Sequence, residues 1–286
     1  MHHASLSAFA SKAGQLLGPK GPYALVMLED DVAVTETIAH CRKVGFSEIC
    51  LFGTGDVLPD DDHGLHLIHH DMHAENALTT AVNGMIDALP GAWLFYCFNA
   101  EFYFFPFCET RSVRELVTFT TEERRDAVLS YVVDLYSNDL GQFPNAVSRE
   151  TAHFDKEGYY ALARRDAQGQ PIERQLDFHG GLRWRFEEHV PEARRKIDRV
   201  SLFRAKPGLE LRADHTFNDA EYNTYACPWH NNISATICSF RTAKALLSNP
   251  DSMYEIPHFW WMKSAKFDWH SQQLLDLGLM EPGQWF

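Results

Sequence analysis

The sequence is short of positive charge, of paired cysteines and of long apolar stretches, and each shortage argues against a class of function. Its 26 lysines and arginines stand against 39 aspartates and glutamates, a formal net charge of −13. Such a field repels nucleic-acid phosphates and anionic lipid head groups, so broad nucleic-acid binding is disfavoured. Basic runs such as Arg194-Arg195-Lys196 leave room for a small phosphate at most. The six cysteines (Cys41, Cys50, Cys97, Cys108, Cys227, Cys238) contain no C-x-x-C pair. Several lie in apolar runs, where a reduced thiol behaves as a small hydrophobe. No apolar stretch has the length of a secretory signal core or a membrane span. The expected location is therefore the cytoplasm, either free or peripheral to the inner membrane, with no transmembrane segment. Internal repeats and low-complexity tracts are also missing.

What is present suits one large α/β domain. The chain has 286 residues, 45% of them hydrophobic and 23% charged, which is enough apolar surface for a substantial core. Residues 1–22 read as an N-terminal helical extension closing at Gly18-Pro19. Tyr23 to Leu28 is a continuous apolar run bounded by turn residues, the pattern of a central parallel strand. Helical spacing from Thr35 to Val44, ended by Gly45, leads to a second strand over Glu48–Phe52, completing a β-α-β unit. Leu65–Ile68, a helix from Ala74 to Leu89 and Trp93–Phe98 continue the alternation. This order predicts a mostly parallel sheet with helices on both faces in a single domain.

Ser112-x-x-Glu115 and Thr120-x-x-Glu123 have the form of capping boxes. Ala127–Tyr136 reads as a strand carrying Asp134, residues 140–180 as a polar excursion, Val200–Phe203 as a return to the sheet, and Asn231–Leu247 as strand or turn followed by helix. The domain core spans 23–250, with an aromatic-rich extension over 251–286 packed on it.

Three segments carry a family resemblance. Glu36 to Phe46 is similar to the first helix of bacterial family 2 glycosyltransferases. Trp93 to Pro106 resembles their strand W-x-x-x-x-D-x-D-E-F, and Cys108-Glu109-Thr110-Arg111 matches the C-E-T-R that follows in some members. The resemblance runs with gaps from about Tyr23 to Leu247. It implies a GT-A fold binding a nucleotide sugar and passing the sugar to a glycan or glycolipid acceptor. A non-catalytic protein of that fold, binding a sugar, nucleotide or protein partner, is the alternative. The resemblance also implies a D-x-D holding Mg²⁺ or Mn²⁺ on the diphosphate. Here that motif becomes Phe98-Asn99-Ala100-Glu101, with both aspartates gone. One carboxylate does not overcome the hydration of Mg²⁺, so any metal is expected only together with the nucleotide diphosphate, or not at all.

The candidate residues follow from that frame. Glu101 and Asn99 are the candidate metal donors; a buried ion pair and a turn residue are the competing readings. Glu29, Asp30 and Asp56 stand where the family receives base or ribose, unless they are solvated acidic loop. Arg183 and Arg185 in Gly180-Gly181-Leu182-Arg183-Trp184-Arg185 have guanidinium forks suited to phosphate, or ion-pair on the surface. Asp134, which interrupts an apolar strand, is a candidate catalytic residue, with a structural role as the competing reading; His215 and His230 are candidates to touch the diphosphate or act as general base on an acceptor hydroxyl, unless they are satisfied structural histidines. His63, His66, His69, His70 and His73 are dense enough to suggest a metal, but their spacing favours surface histidines. The Phe259-Trp260-Trp261 run reads as packing.

Overall fold

The computed structural model of the protein describes residues 1–18, 21–55 and 63–285. In chain order its main elements are β1 (His2–His3), α1 (Leu6–Ala10), α2 (Ala13–Leu16), β2 (Tyr23–Met27), α3 (Val34–Lys43), β3 (Ile49–Gly53), β4 (Leu65–His69), α4 (Ala77–Ala88) and β5 (Trp93–Phe98). There follow β6 (Glu101–Phe104), α5 (Val113–Glu122), β7 (Ala127–Ser137), β8 (Ala152–Asp155), β9 (Tyr160–Arg165), β10 (Pro171–His179) and α6 (Leu182–Arg185). The chain closes with β11 (Asp198–Arg204), β12 (Ser234–Ser239), α7 (Arg241–Ser248), β13 (Ser264–Lys266) and α8 (Ser271–Asp276).

Two compact units emerge. The first comprises Met1–Asn99, Cys108–Leu129 and Val200–Asn223; the second comprises Ala100–Phe107, Ser130–Arg199 and Thr224–Phe286.

The first unit is the α/β half. Its strands lie in the order β1-β4-β3-β2-β5-β11, parallel from β1 through β5 and antiparallel between β5 and β11. Every residue of β2, β3 and β5 is buried, as a parallel sheet covered on both faces requires. From β2 the chain steps outward to β3 and β4, then returns across them through α4 to β5 on the other side of β2. Right-handed crossovers in opposite directions put α3 and α4 on opposite faces. The mostly parallel sheet and the adjacency of the Tyr23, Glu48 and Trp93 segments agree with the sequence reading.

The second unit is mainly antiparallel: β12 pairs with β6, β7 and β13 both pair with β8, and β9 with β10 form a separate ribbon. Residues 140–180, expected as a polar excursion, thus contain three strands. The alternating polar character of β9 and β10 reflects their exposure, which hides the strand pattern from a search for apolar runs. Tyr136, Leu182, Leu246, Ile256 and Phe259 form a core of this unit. The segment after 251 is integral to it: β13 extends β8, and Phe259 is fully buried while Trp260 remains half exposed.

Residues 1–20 are not one helix, because a two-residue edge strand precedes Ser5, which caps α1 through Ala8, and the helix breaks at Ser11. Thr120 caps nothing: it lies inside α5, its hydroxyl donating to the Leu116 carbonyl. Ser112 does form the expected box, its hydroxyl accepting from the Glu115 amide while the Glu115 carboxylate accepts from the Ser112 amide. That bond holds the Glu115 carboxyl below its ordinary pKa. Replacing Ser112 by alanine is expected to lower the unfolding free energy by about 1 kcal/mol, measured by urea denaturation.

Candidate functional site

In the first unit the strand order reverses beside β2, so the carboxyl ends of the parallel neighbours β2 and β5 flank a topological switch point. Open α/β sheets bind ligands at such a position. β2 leaves the sheet through Leu28, Glu29 and Asp30, and β5 through Asn99. Asn99 is fully buried and organises the turn. Its side-chain oxygen accepts from the Glu29 amide at 2.9 Å, and its side-chain nitrogen donates to Asp30 Oδ1 and to the Val32 carbonyl. Asp30 Oδ1 also accepts from the Val32 amide at 3.0 Å. Glu29 is half-buried and Asp30 exposed. The result is an acidic turn held rigidly at the strand ends. Asp56 lies outside the described residues.

His215 belongs to the same unit. Its Nδ1 sits 3.0 Å from the Tyr96 hydroxyl, with the two rings stacked 6.0 Å apart and 10° from parallel. A φ of 63° at His215 shows backbone held in a conformation uncommon for a side-chain-bearing residue.

The histidine group of this unit disperses rather than converging. His66 is not at the surface: it is buried between His3, 3.2 Å from its Nδ1, and Glu48, 3.1 Å from its Nε2. His70 turns to the Ala77 carbonyl, while His63, His69 and His73 are exposed. Among the described residues no group of three or more histidine, cysteine or acidic side chains has the arrangement of a metal site.

The second unit gathers the remaining candidates. Glu101, at 1% exposure, receives Arg199 in a two-pronged pair, Nη1 to Oε2 at 2.7 Å and Nη2 to Oε1 at 3.3 Å; the Ser239 hydroxyl adds a bond of 3.0 Å. Both carboxylate oxygens are therefore engaged, and a guanidinium stands where a cation would bring its own charge. In the first unit the Asn99 oxygen is equally committed to its backbone partner. Donors so occupied do not fit a divalent cation, and the buried ion pair is the arrangement found for Glu101.

The arginines turn inward as well. Arg185 donates to both oxygens of Asp155 at 3.0 and 3.1 Å and to the Phe259 carbonyl at 2.7 Å, with its guanidinium 4.9 Å from the Trp261 ring centre. Tyr136 and the Trp261 indole also donate to Asp155 Oδ1, at 2.6 and 2.7 Å. Arg183 donates to the Lys196 carbonyl at 2.7 Å and to the Thr242 hydroxyl at 3.3 Å. Neither is a surface arginine, and neither can grip a diphosphate without breaking these bonds. His230 occupies a turn, its Nδ1 2.9 Å from the Asn231 carbonyl and its own carbonyl accepting from Cys227.

Asp134 differs from its neighbours. Its side chain is fully buried, neither oxygen makes a hydrogen bond of ordinary geometry, and the nearest cation, Arg183 Nε, lies 3.6 Å from Oδ1. Burial raises its pKa, opposed first by the Arg183 guanidinium and then by the Thr242 hydroxyl and the Arg183 amide. The sequence flagged it as a charge inside an apolar strand. The same signal was available for Arg199 in β11 and for Asp155 at the end of β8, yet neither was singled out. No protein-family model and no curated protein matches the chain.

Two predictions follow from these charges. Arg199→Met strands a buried carboxylate and is expected to cost about 3–5 kcal/mol in chemical denaturation, most of it recovered in the Arg199→Met/Glu101→Leu double variant. Asp134 binds its proton more tightly folded than unfolded, so its contribution to stability is complete below the unfolded pKa and is lost as pH rises through the folded one. Asp134→Asn should therefore raise the melting temperature at pH 8 relative to wild type and leave it little changed at pH 4.

Proposed function

We propose that the protein is a GT-A-like, glycosyltransferase-type protein whose first unit binds the nucleoside end of a nucleotide sugar. One observation carries the reading: an acidic turn, Glu29–Asp30, pinned by Asn99 at the switch point between β2 and β5. Carboxylate oxygens at the end of a parallel strand suit ribose hydroxyls or base N–H groups as donors. The similarity of the Glu36–Phe46 and Trp93–Arg111 segments to family 2 glycosyltransferases supports the same choice and makes a glycan or glycolipid hydroxyl the acceptor class. In this reading the leaving diphosphate is not neutralised by a cation on Glu101.

A second reading, a non-catalytic protein that keeps the binding site, is favoured by the bonds that occupy Glu101, Arg183 and Arg185. The two are separated by calorimetry with UDP, GDP, CDP and dTDP, with and without Mn²⁺, followed by assay of the matching nucleotide sugars. At least one nucleotide should bind, with affinity indifferent to Mn²⁺ and reduced about tenfold or more by Glu29→Ala, the loss of one or two hydrogen bonds to a charged group. Sugar release or transfer identifies the enzyme, and binding without turnover the non-catalytic form. Failure of every nucleotide to bind would remove the proposal.

A further inference from the structure

We propose that the first unit carries an acid-released latch, in which the chain Glu48–His66–His3 pins β1 to the edge of β4 while one hydrogen lies between the two imidazoles, and frees β1 when both are charged. The inference is independent of the nucleotide reading.

The latch is a short series of donors and acceptors. His66 Nε2 lies 3.1 Å from Glu48 Oε2, and His66 Nδ1 lies 3.2 Å from His3 Nε2. A carboxylate only accepts, so His66 Nε2 carries a hydrogen and the gap between the rings has room for one more. With both rings neutral, His3 donates and His66 accepts. One added proton leaves the series intact, because a charged His66 donates to Glu48 on one side and to His3 on the other. A second added proton turns two N–H groups toward each other, and the bond between the rings is lost.

Packing concentrates the effect on His3. His66 is 2% exposed, and its ring is stacked on that of His3 with centroids 5.4 Å apart. The fully buried Phe9 of α1 lies against both, 4.6 Å from His3 and 5.4 Å from His66. The groups whose charge acts on His3 are all cationic: His66 from β4, the Met1 amino group and His2 beside it in the chain, and Lys12 between α1 and α2. The carboxylate of Glu48 is engaged at the opposite nitrogen of His66. Burial first, and then these cations, hold the His3 pKa below its ordinary value.

The backbone contact that the rings reinforce is short. Two residues of β1 pair with Leu67 and Ile68, the Leu67 amide donates to the Met1 carbonyl at 2.8 Å, and the Met1 amino group donates to the Leu65 carbonyl at 2.8 Å. Segments near a terminus with so few backbone bonds open at little cost. A histidine whose folded pKa is depressed contributes stability that is complete above its unfolded pKa, about 6.5, and is lost as pH falls through the folded value. Docking of β1 is therefore held at neutral pH and given up in mild acid.

The test follows backbone amide exchange of the whole protein by NMR at pH 7.5 and pH 5, each rate referred to that of an unstructured peptide at the same pH. The Leu67 amide should lose protection at least roughly tenfold at the lower pH, while the amides of the central strand β2 keep theirs. His3→Phe keeps a ring against Phe9 but takes no proton, so the pH step at Leu67 should vanish. His3→Lys is charged at both pH values, so Leu67 should be as weakly protected at pH 7.5 as in the wild type at pH 5. Thermal melts establish that each variant unfolds cooperatively. Equal protection of Leu67 at the two pH values in the wild type, the same step in His3→Phe, or full protection in His3→Lys would overturn the latch. So would a loss shared by β2, which would mark acid unfolding of the whole unit.

Discussion

A charge taken out of water must meet an opposite charge or a full set of hydrogen bonds inside the protein. In the second unit this constraint decides what each candidate residue can do. Glu101 meets Arg199 and Ser239; Asp155 collects Arg185, Tyr136 and the Trp261 indole. The second network ties β8, the α6 turn and the segment around Phe259 into one body, so residues that resemble ligand-gripping groups in sequence hold the fold together. Asp134 alone among these carboxylates lacks hydrogen bonds of ordinary geometry and has the Arg183 guanidinium 3.6 Å away.

Much of the first unit was legible because its central strands are buried on both faces. Tyr23–Met27, Ile49–Gly53 and Trp93–Phe98 are unbroken apolar runs, and that local pattern needs no knowledge of partners. The Ser112–Glu115 box was legible for the same reason, since both its members lie within three residues. Where partners are distant, the sequence was silent. Glu101 finds Arg199 98 positions away, and nothing near either residue announces the match. His66 misled in the same way: its neighbours in sequence are exposed histidines, but its neighbours in space are His3 and Glu48.

The contrast between the units also separates fold from chemistry. Strand order and acidic turn depend on backbone geometry that many sequences satisfy, and they form here with Phe98 and Ala100 at the end of β5. Metal chemistry depends on particular oxygens left open, and here those of Glu101 and Asn99 are taken.

The two-residue strand β1 closes one edge of the sheet. By pairing in parallel with Leu67 and Ile68 it covers the outer edge of β4, whose backbone would otherwise present unpaired amides and carbonyls beside a strongly apolar sheet. Exposed edges of that kind recruit strands from other molecules. Met1 joins this cover, its amino group donating to the Leu65 carbonyl and its carbonyl accepting from the Leu67 amide, and His3 is anchored through its ring to His66, so the edge is closed by a contact three residues long. Loosening it would open that edge as a seed for assembly between copies.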